Sequence, residues 1–187
     1  GTPTRTPFDI SMHFDRLGAE FNAFTSKEYT CYYARFVDDR LESALEVLAD
    51  MVINSSFSTE AISTEREVVL EEIARSEDTP DDYVFELFNQ SMITDHALGL
   101  PVLGDKRLVS SYEHADCASF HDQHYGSGNL CIAAAGNIDH EELVKLTQAY
   151  FSSMNTLEKE QRNQDRVAYR SGCFSVTRNI EQAHIIY

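Results

Sequence analysis

Between Thr59 and Glu77 the chain has no glycine and no proline, and its apolar residues recur at helical spacing. A breaker-free segment of that length commits to helix, so the fold must cover one of its faces. At about 100° per residue, Ile62, Val69 and Ile73 form the centre of an apolar stripe, with Ala61 and Val68 at one edge. Glu60, Glu67 and Glu71 lie opposite, where solvent is expected. Glu65 and Glu72 do not. They fall between the apolar residues, seven positions apart, on the side expected to be buried. An unpaired buried carboxylate is costly, so it takes a partner, a proton or a metal. The bland alternative is an acid at the edge of the stripe, paired with Lys or Arg or simply hydrated.

The remaining segments mix helix and strand. Pro7 opens a helix that Gly18 stops. The stretch AEFNAFTSKEYTCYYARFV is aromatic and β-branched, with TSKE at its centre, and predicts two short strands around a turn. Asp38 to Asn54 predicts an amphipathic helix carrying Leu41, Leu45, Leu48 and Val52. Pro80 begins another helix that runs to about Ile93. DHALGLPVLGDKRLVS, with two glycines and a proline, predicts a loop. Tyr112 to Tyr125 predicts a helix. NLCIAAAGNI predicts a short strand central in a sheet. Asp139 to Phe151 predicts a helix with Asp139 as N-cap and Glu142 at the capping-box position. CFSVTRN and QAHIIY are further strand candidates. The strands are too few for the helices, and two or three sheet partners are expected to be missing.

Composition narrows the function. The 187 residues suffice for a domain with a real core, and 42% hydrophobic against 25% charged residues is the balance of a globular protein. Thirty-one acids against 15 Lys plus Arg give a net charge of −16, which argues against nucleic acid and anionic membrane surfaces as partners. No apolar run is long enough to span a membrane. Cys31, Cys117, Cys131 and Cys173 are widely spaced and read as reduced thiols, which suits a cytoplasmic setting.

No phosphate-binding glycine loop and no G-x-S-x-G are present. His121 and His124, in HDQH, share a helix edge, but without a third ligand they read as surface histidines. Cys31, flanked by tyrosines, reads as strand packing. The pair Glu65 and Glu72 remains the sharpest candidate.

Several stretches, in order, resemble the pitrilysin/insulinase family of zinc peptidases, the inverzincins, and most closely its bacterial members similar to mitochondrial processing peptidase. They are GTPTRT, LGAEFNAFTSKEYTCYYARF, FSTEAISTEREVVLEEIARSEDTPDD, DHALGLPVLG and HYGSGNLCIAAAGNIDHEELVKL, covering roughly Gly1 to Phe151. The resemblance implies an α+β fold with helices packed on one face of a mixed, mostly antiparallel sheet, forming one lobe of the family fold. It implies that 1–151 belongs to the metal-binding lobe, that 152–171 is a polar linker, and that 172–187 begins the second, non-catalytic lobe.

In the family, H-x-x-E-H on one helix supplies two zinc-binding histidines and a glutamate general base, and a glutamate on a later helix completes the site. The later pattern matches Glu65 and Glu72. The resemblance therefore makes Glu72 the zinc ligand and Glu65 its supporting carboxylate, two helical turns away on the same side. It also makes Asn22, Ala23, Phe24 and Thr25 the edge strand along which a peptide substrate pairs. Glu28 matches a recurrent family position, without an assignable role.

The chain departs from the family in having no H-x-x-E-H. A Gly-Thr pair follows that motif in relatives, so the resemblance implies a fragment lacking the preceding strands and the catalytic helix. Such a fragment of a zinc metalloendopeptidase is expected to be inactive by itself and not to hold zinc tightly. The alternative is a non-catalytic partner or core subunit acting as a scaffold. Exposed sheet edges predict a homo-oligomer, or docking of a second peptidase lobe.

Overall fold

A computed structural model describes residues 1–158 and 166–187. The chain divides into two compact units. The first comprises Gly1–Phe24, Thr30–Thr59 and Glu113–Gln161, and the second Thr25–Tyr29, Glu60–Tyr112 and Arg162–Tyr187.

In the first unit, α1 (Pro7–Arg16) starts at Thr6, whose hydroxyl accepts from the Asp9 amide while Asp9 returns the bond to Thr6 N–H. That reciprocal cap and Pro7 at the first helical position fix the start. Gly18 ends it at φ +62°, a conformation that glycine adopts without a Cβ penalty. Strands β1 (Glu20–Thr25, all but its last residue in this unit) and β2 (Thr30–Arg35) form a two-stranded sheet. Their four-residue connection makes the pair antiparallel. A 3-10 turn at Asp38–Arg40 leads into α2 (Leu41–Ile53). The core gathers Ile10 and Phe14 of α1 with Ala44 and Val47 of α2, and Phe14 stacks on Phe21 of β1 with ring centroids 4.5 Å apart. Helices α6 (His114–His124) and α7 (His140–Phe151) complete this unit, and α7 packs on α2. Asp139 caps α7 by accepting from the Glu142 amide at 2.9 Å.

In the second unit, α3 (Thr59–Asp78, all but its first residue) is followed by α4 (Pro80–Met92), with Thr79 between them. The segment expected as a loop contains a 3-10 turn at Ala97–Gly99 and a short helix, α5 (Lys106–Ser111). The Asp105 carboxylate starts α5 by accepting from the Arg107 and Leu108 amides. That cap was visible in the sequence but was masked by the surrounding glycines and proline.

The α+β class is observed, but the expected mixed sheet is not. Among the described residues the only sheet is β1–β2, supplemented by an isolated antiparallel bridge between Ile93 and Tyr169. The segments NLCIAAAGNI, CFSVTRN and QAHIIY form no ladder. A strand exists only with a neighbour to satisfy its amides and carbonyls, and apolar character cannot supply one. Part of the expected linker, 159–165, lies outside the described residues. All four cysteines are free thiols. Among the described residues, no helix is long and apolar enough to cross a membrane.

Candidate functional site

Helix α3 carries Glu65 and Glu72 as the spacing predicted, but not on a buried face. Both are exposed. Along α3 only Ile73 is buried; Ile62 and Val69 are half-buried, and Val68 is 43% exposed. The stripe is covered only towards its C-terminal end, so the two carboxylates stay in contact with solvent. The expectation of a buried acid pair is therefore corrected. The other half of the geometry stands, since seven residues place the two acids two turns apart on one side of the helix.

The C-terminal end of α3 is firmly held. Lys106 pairs with the Glu77 carboxylate, and the Arg178 guanidinium donates to the Glu77 carbonyl. The same guanidinium lies 3.8 Å from the centroid of the Tyr83 ring. These contacts satisfy a terminal carbonyl of the helix and place positive charge where its dipole favours it. A cavity of about 1070 Å³ lies beside them in the second unit, between Tyr83, Glu86 and Gln90 of α4 and the loop from Ile93 to Lys106.

Residues Asn22, Ala23, Phe24 and Thr25 are all exposed on β1, and among the described residues β2 is the one sheet neighbour of that strand. The Asn22 side-chain oxygen accepts from the Ala23 amide at 2.8 Å. Glu28 is exposed in the turn, where its amide donates to Ser26 Oγ.

The histidine pair on α6 has a structural use for one member. His121 Nε2 lies 2.7 Å from the Val52 carbonyl. A carbonyl only accepts, so Nε2 carries the proton, and the bond satisfies a terminal carbonyl of α2. His114 Nδ1 donates likewise to the Phe57 carbonyl at 2.7 Å. Phe57 is held at φ +43°, an uncommon conformation for a bulky residue, and its ring meets His121 edge-on. His121 also stacks on Tyr125, whose hydroxyl shares a hydrogen bond of 3.2 Å with Tyr32. Burial, reinforced by that bond, pushes the Tyr32 phenol well above its ordinary pKa. Phe57, His114, His121 and Tyr125 border a cavity of about 330 Å³ in the first unit.

A cluster that the sequence reading passed over sits at GTPTRT. Asp50 of α2 receives Thr2 Oγ1 at 2.8 Å, Arg5 Nη1 at 2.7 Å and Asn54 Nδ2 at 2.9 Å, while Arg5 Nη2 reaches Glu46 at 2.5 Å. The signal was Glu46 and Asp50 four residues apart, which puts two acids on one helix face and calls for a forked cation.

Among the described residues, no group of three or more His, Cys, Asp or Glu side chains is arranged to hold a metal ion. Zinc in a protein takes three or four such donors. Glu72 offers one, and His121 has committed Nε2 elsewhere, so this donor set does not make a zinc site by itself.

The family model described as insulinase (peptidase family M16) matches residues 1–106, and the model described as the peptidase M16 inactive domain matches residues 111–187. A Rickettsia felis protein described as an uncharacterized zinc protease is 41% identical over 186 residues, spanning 100% of this chain and 45% of its own length. A similarly described protein of Streptomyces coelicolor is 42% identical over 195 residues, again with 100% of this chain and 42% of its own length. The chain thus spans less than half the length of these relatives. The crystal structure of a protease from Helicobacter pylori shares the fold, with a TM-score of 0.82 at 20% identity over 91% of this chain and 41% of that one.

Proposed function

The chain belongs to the insulinase family, peptidase family M16, and on that premise we propose that it is part of a zinc metalloendopeptidase acting on peptides or unfolded segments. The observation that carries the proposal is the pair Glu65 and Glu72, two turns apart on one side of α3, within the region matched by the family. In this reading Glu72 is one zinc ligand, Glu65 is the carboxylate that supports it, and Asn22 to Thr25 hold the substrate backbone. Residues 1–151 then belong to the metal-binding lobe and 172–187 to the second lobe.

One carboxylate cannot hold zinc against water, so the remaining donors belong to a segment outside this sequence and the 187-residue chain is inactive alone. When bound, zinc would polarise the scissile carbonyl and activate water. What this chain contributes is one negative ligand and a strand that orients peptides by main-chain pairing.

The test is the zinc content of the protein encoded by the complete reading frame, beside its Glu72→Gln and Glu65→Gln variants. Loss of zinc with Glu72→Gln and its retention in the isolated Glu65→Gln variant is the expected result. Stoichiometric zinc in Glu72→Gln would remove Glu72 from the site, and absence of zinc from the parent would remove the peptidase reading.

A second reading is a non-catalytic partner subunit. The match of residues 111–187 to the inactive-domain model and the lack of a three-donor cluster among the described residues favour it. A parent protein that contains no H-x-x-E-H and co-purifies with a motif-bearing relative would establish this reading.

A further inference from the structure

The cavity of about 330 Å³ in the first unit is bordered by His114, His121 and Asp122 of α6, by Tyr125 at the end of that helix, and by the segment that follows α2. The helical repeat puts these four α6 positions on one side. Side-chain donors on this wall are already committed to main-chain carbonyls. His114 Nδ1 donates to Phe57 and His121 Nε2 to Val52, while Ser55 Oγ donates to Met51 and Ser56 Oγ to Gly1. A neutral imidazole has one N–H and one lone pair, so His114 Nε2 and His121 Nδ1 are left as acceptors. His121 Nδ1 stands 3.8 Å from Asp122 Oδ1, too far for a hydrogen bond between them. A lone pair and a carboxylate oxygen therefore sit side by side with no hydrogen shared. The rings of Phe57 and Tyr125, both packed against His121, also border the cavity. Asn54, Ser153 and Asn155 add neutral polar groups, and among the described residues no lysine or arginine is present on the wall.

We propose that this cavity binds an alkylammonium group, a small organic cation that brings the N–H donors its wall lacks. The acceptors call for hydrogens, the Asp122 carboxylate calls for positive charge, and aromatic faces attract cations. An ammonium has three donors and no acceptor, so one nitrogen can serve His121 Nδ1 and Asp122 together. The two contribute unequally. The Asp122 side chain is 74% exposed, so its charge is screened at the rim, whereas His121, at 13%, offers the better-shielded acceptor. The volume far exceeds the roughly 10–15 Å³ that a single bridging water needs, so it also admits the carbon chain behind the ammonium. The site lies within the first unit and does not depend on the peptidase reading.

The experiment titrates the full chain with n-butylammonium at mildly alkaline pH and reads the imidazole nitrogen and aromatic ring NMR signals of His114, His121 and Tyr125. Tetramethylammonium has the same charge without donors, and n-butanol has the chain without charge. The expected result is saturable shifts with n-butylammonium, binding at least about tenfold weaker with tetramethylammonium, and no shift with n-butanol. His121→Gln keeps a donor for the Val52 carbonyl but removes the Nδ1 lone pair, and should weaken binding about tenfold. Asp122→Asn, at an exposed position, should weaken it about threefold with the melting temperature unchanged. Glu141→Gln, exposed in the first turn of α7 and away from the cavity, removes the same charge and should leave binding as it is. Putrescine and an end-capped lysine derivative distinguish the source: tighter binding of the first assigns a free amine, and of the second a peptide side chain. The proposal is overturned if n-butylammonium gives no saturable shift up to about 50 mM, or if tetramethylammonium binds as well. It is also overturned if Glu141→Gln weakens binding as much as Asp122→Asn, because the effect is then diffuse attraction to a chain of net charge −16. A proton found on His121 Nδ1 in the ligand-free chain removes the acceptor and the proposal with it.

Discussion

Arg5 Nη1 lies 2.7 Å from Asp50 Oδ2, with only 23% and 11% of the two side chains exposed. The pair ties the segment before α1 to the last turns of α2. Replacing Arg5 by Met keeps the stem and removes the charge, leaving Asp50 short of a partner in a largely covered position. The expected loss is about 2 kcal/mol, below that of a fully buried pair because Thr2 and Asn54 still donate. Urea unfolding midpoints at neutral pH measure it.

The same cluster sets an acid dependence. Burial raises the Asp50 pKa, but hydrogen bonds from Asn54, Arg5 and Thr2 outweigh it and hold the carboxyl below the ordinary 3.8. A carboxyl whose folded pKa lies below its unfolded value contributes stability above the unfolded value and loses it as pH falls through the folded one. Unfolding free energy should therefore decline as pH drops from about 4, and Asp50→Asn should flatten that decline. Asp9, held low by its bonds from Thr6, keeps part of it. Urea titrations across this range in both proteins give the comparison.

His121→Leu removes the donor to the Val52 carbonyl. That carbonyl sits in the last turn of α2 and has no onward helical partner. The expected cost is about 1–2 kcal/mol, the penalty for an unsatisfied polar group. Thermal melts read it, and imidazole nitrogen NMR should find the His121 proton on Nε2.

Gly99 has no space for a side chain. An added Cβ would stand 2.1 Å from the Ile93 carbonyl oxygen, a backbone atom that cannot rotate aside. Gly99→Ala should cost about 1–3 kcal/mol and disturb the loop between α4 and α5. Melting temperature together with amide exchange from Ile93 to Gly104 tests both parts.

Glu65 and Glu72 are exposed in this chain, so Glu65→Gln and Glu72→Gln should change its stability by less than about 0.5 kcal/mol. A buried acid pair would instead give a clear gain on neutralisation. Urea midpoints decide between these outcomes.

Local chemistry was legible wherever it acts within a few residues. Pro7 marks the start of α1, Asp139 that of α7, and Pro80 that of α4. The turn in TSKE separates two strands that form as expected. The seven-residue step from Glu65 to Glu72 placed both on one side of α3, and the motif matches led to the family. Less legible were contacts whose partners are distant in the chain. Lys27 read as a turn residue because nothing near it indicates Glu86 or the Leu100 carbonyl, which its ammonium approaches. His121 read as a surface histidine because Val52 lies far back in the sequence.

Helix bonds run from each residue to its fourth neighbour, so the sequence alone located the longer helices and which of their residues share a face, while α5 lay in a segment that read as a loop. Whether a face is covered depends on which other elements arrive there. Only the tertiary structure decided that the acids of α3 are hydrated, that NLCIAAAGNI has no ladder, and that Arg5 closes on Asp50. Burial and strand pairing are properties of two segments together, and no single segment encodes its neighbour.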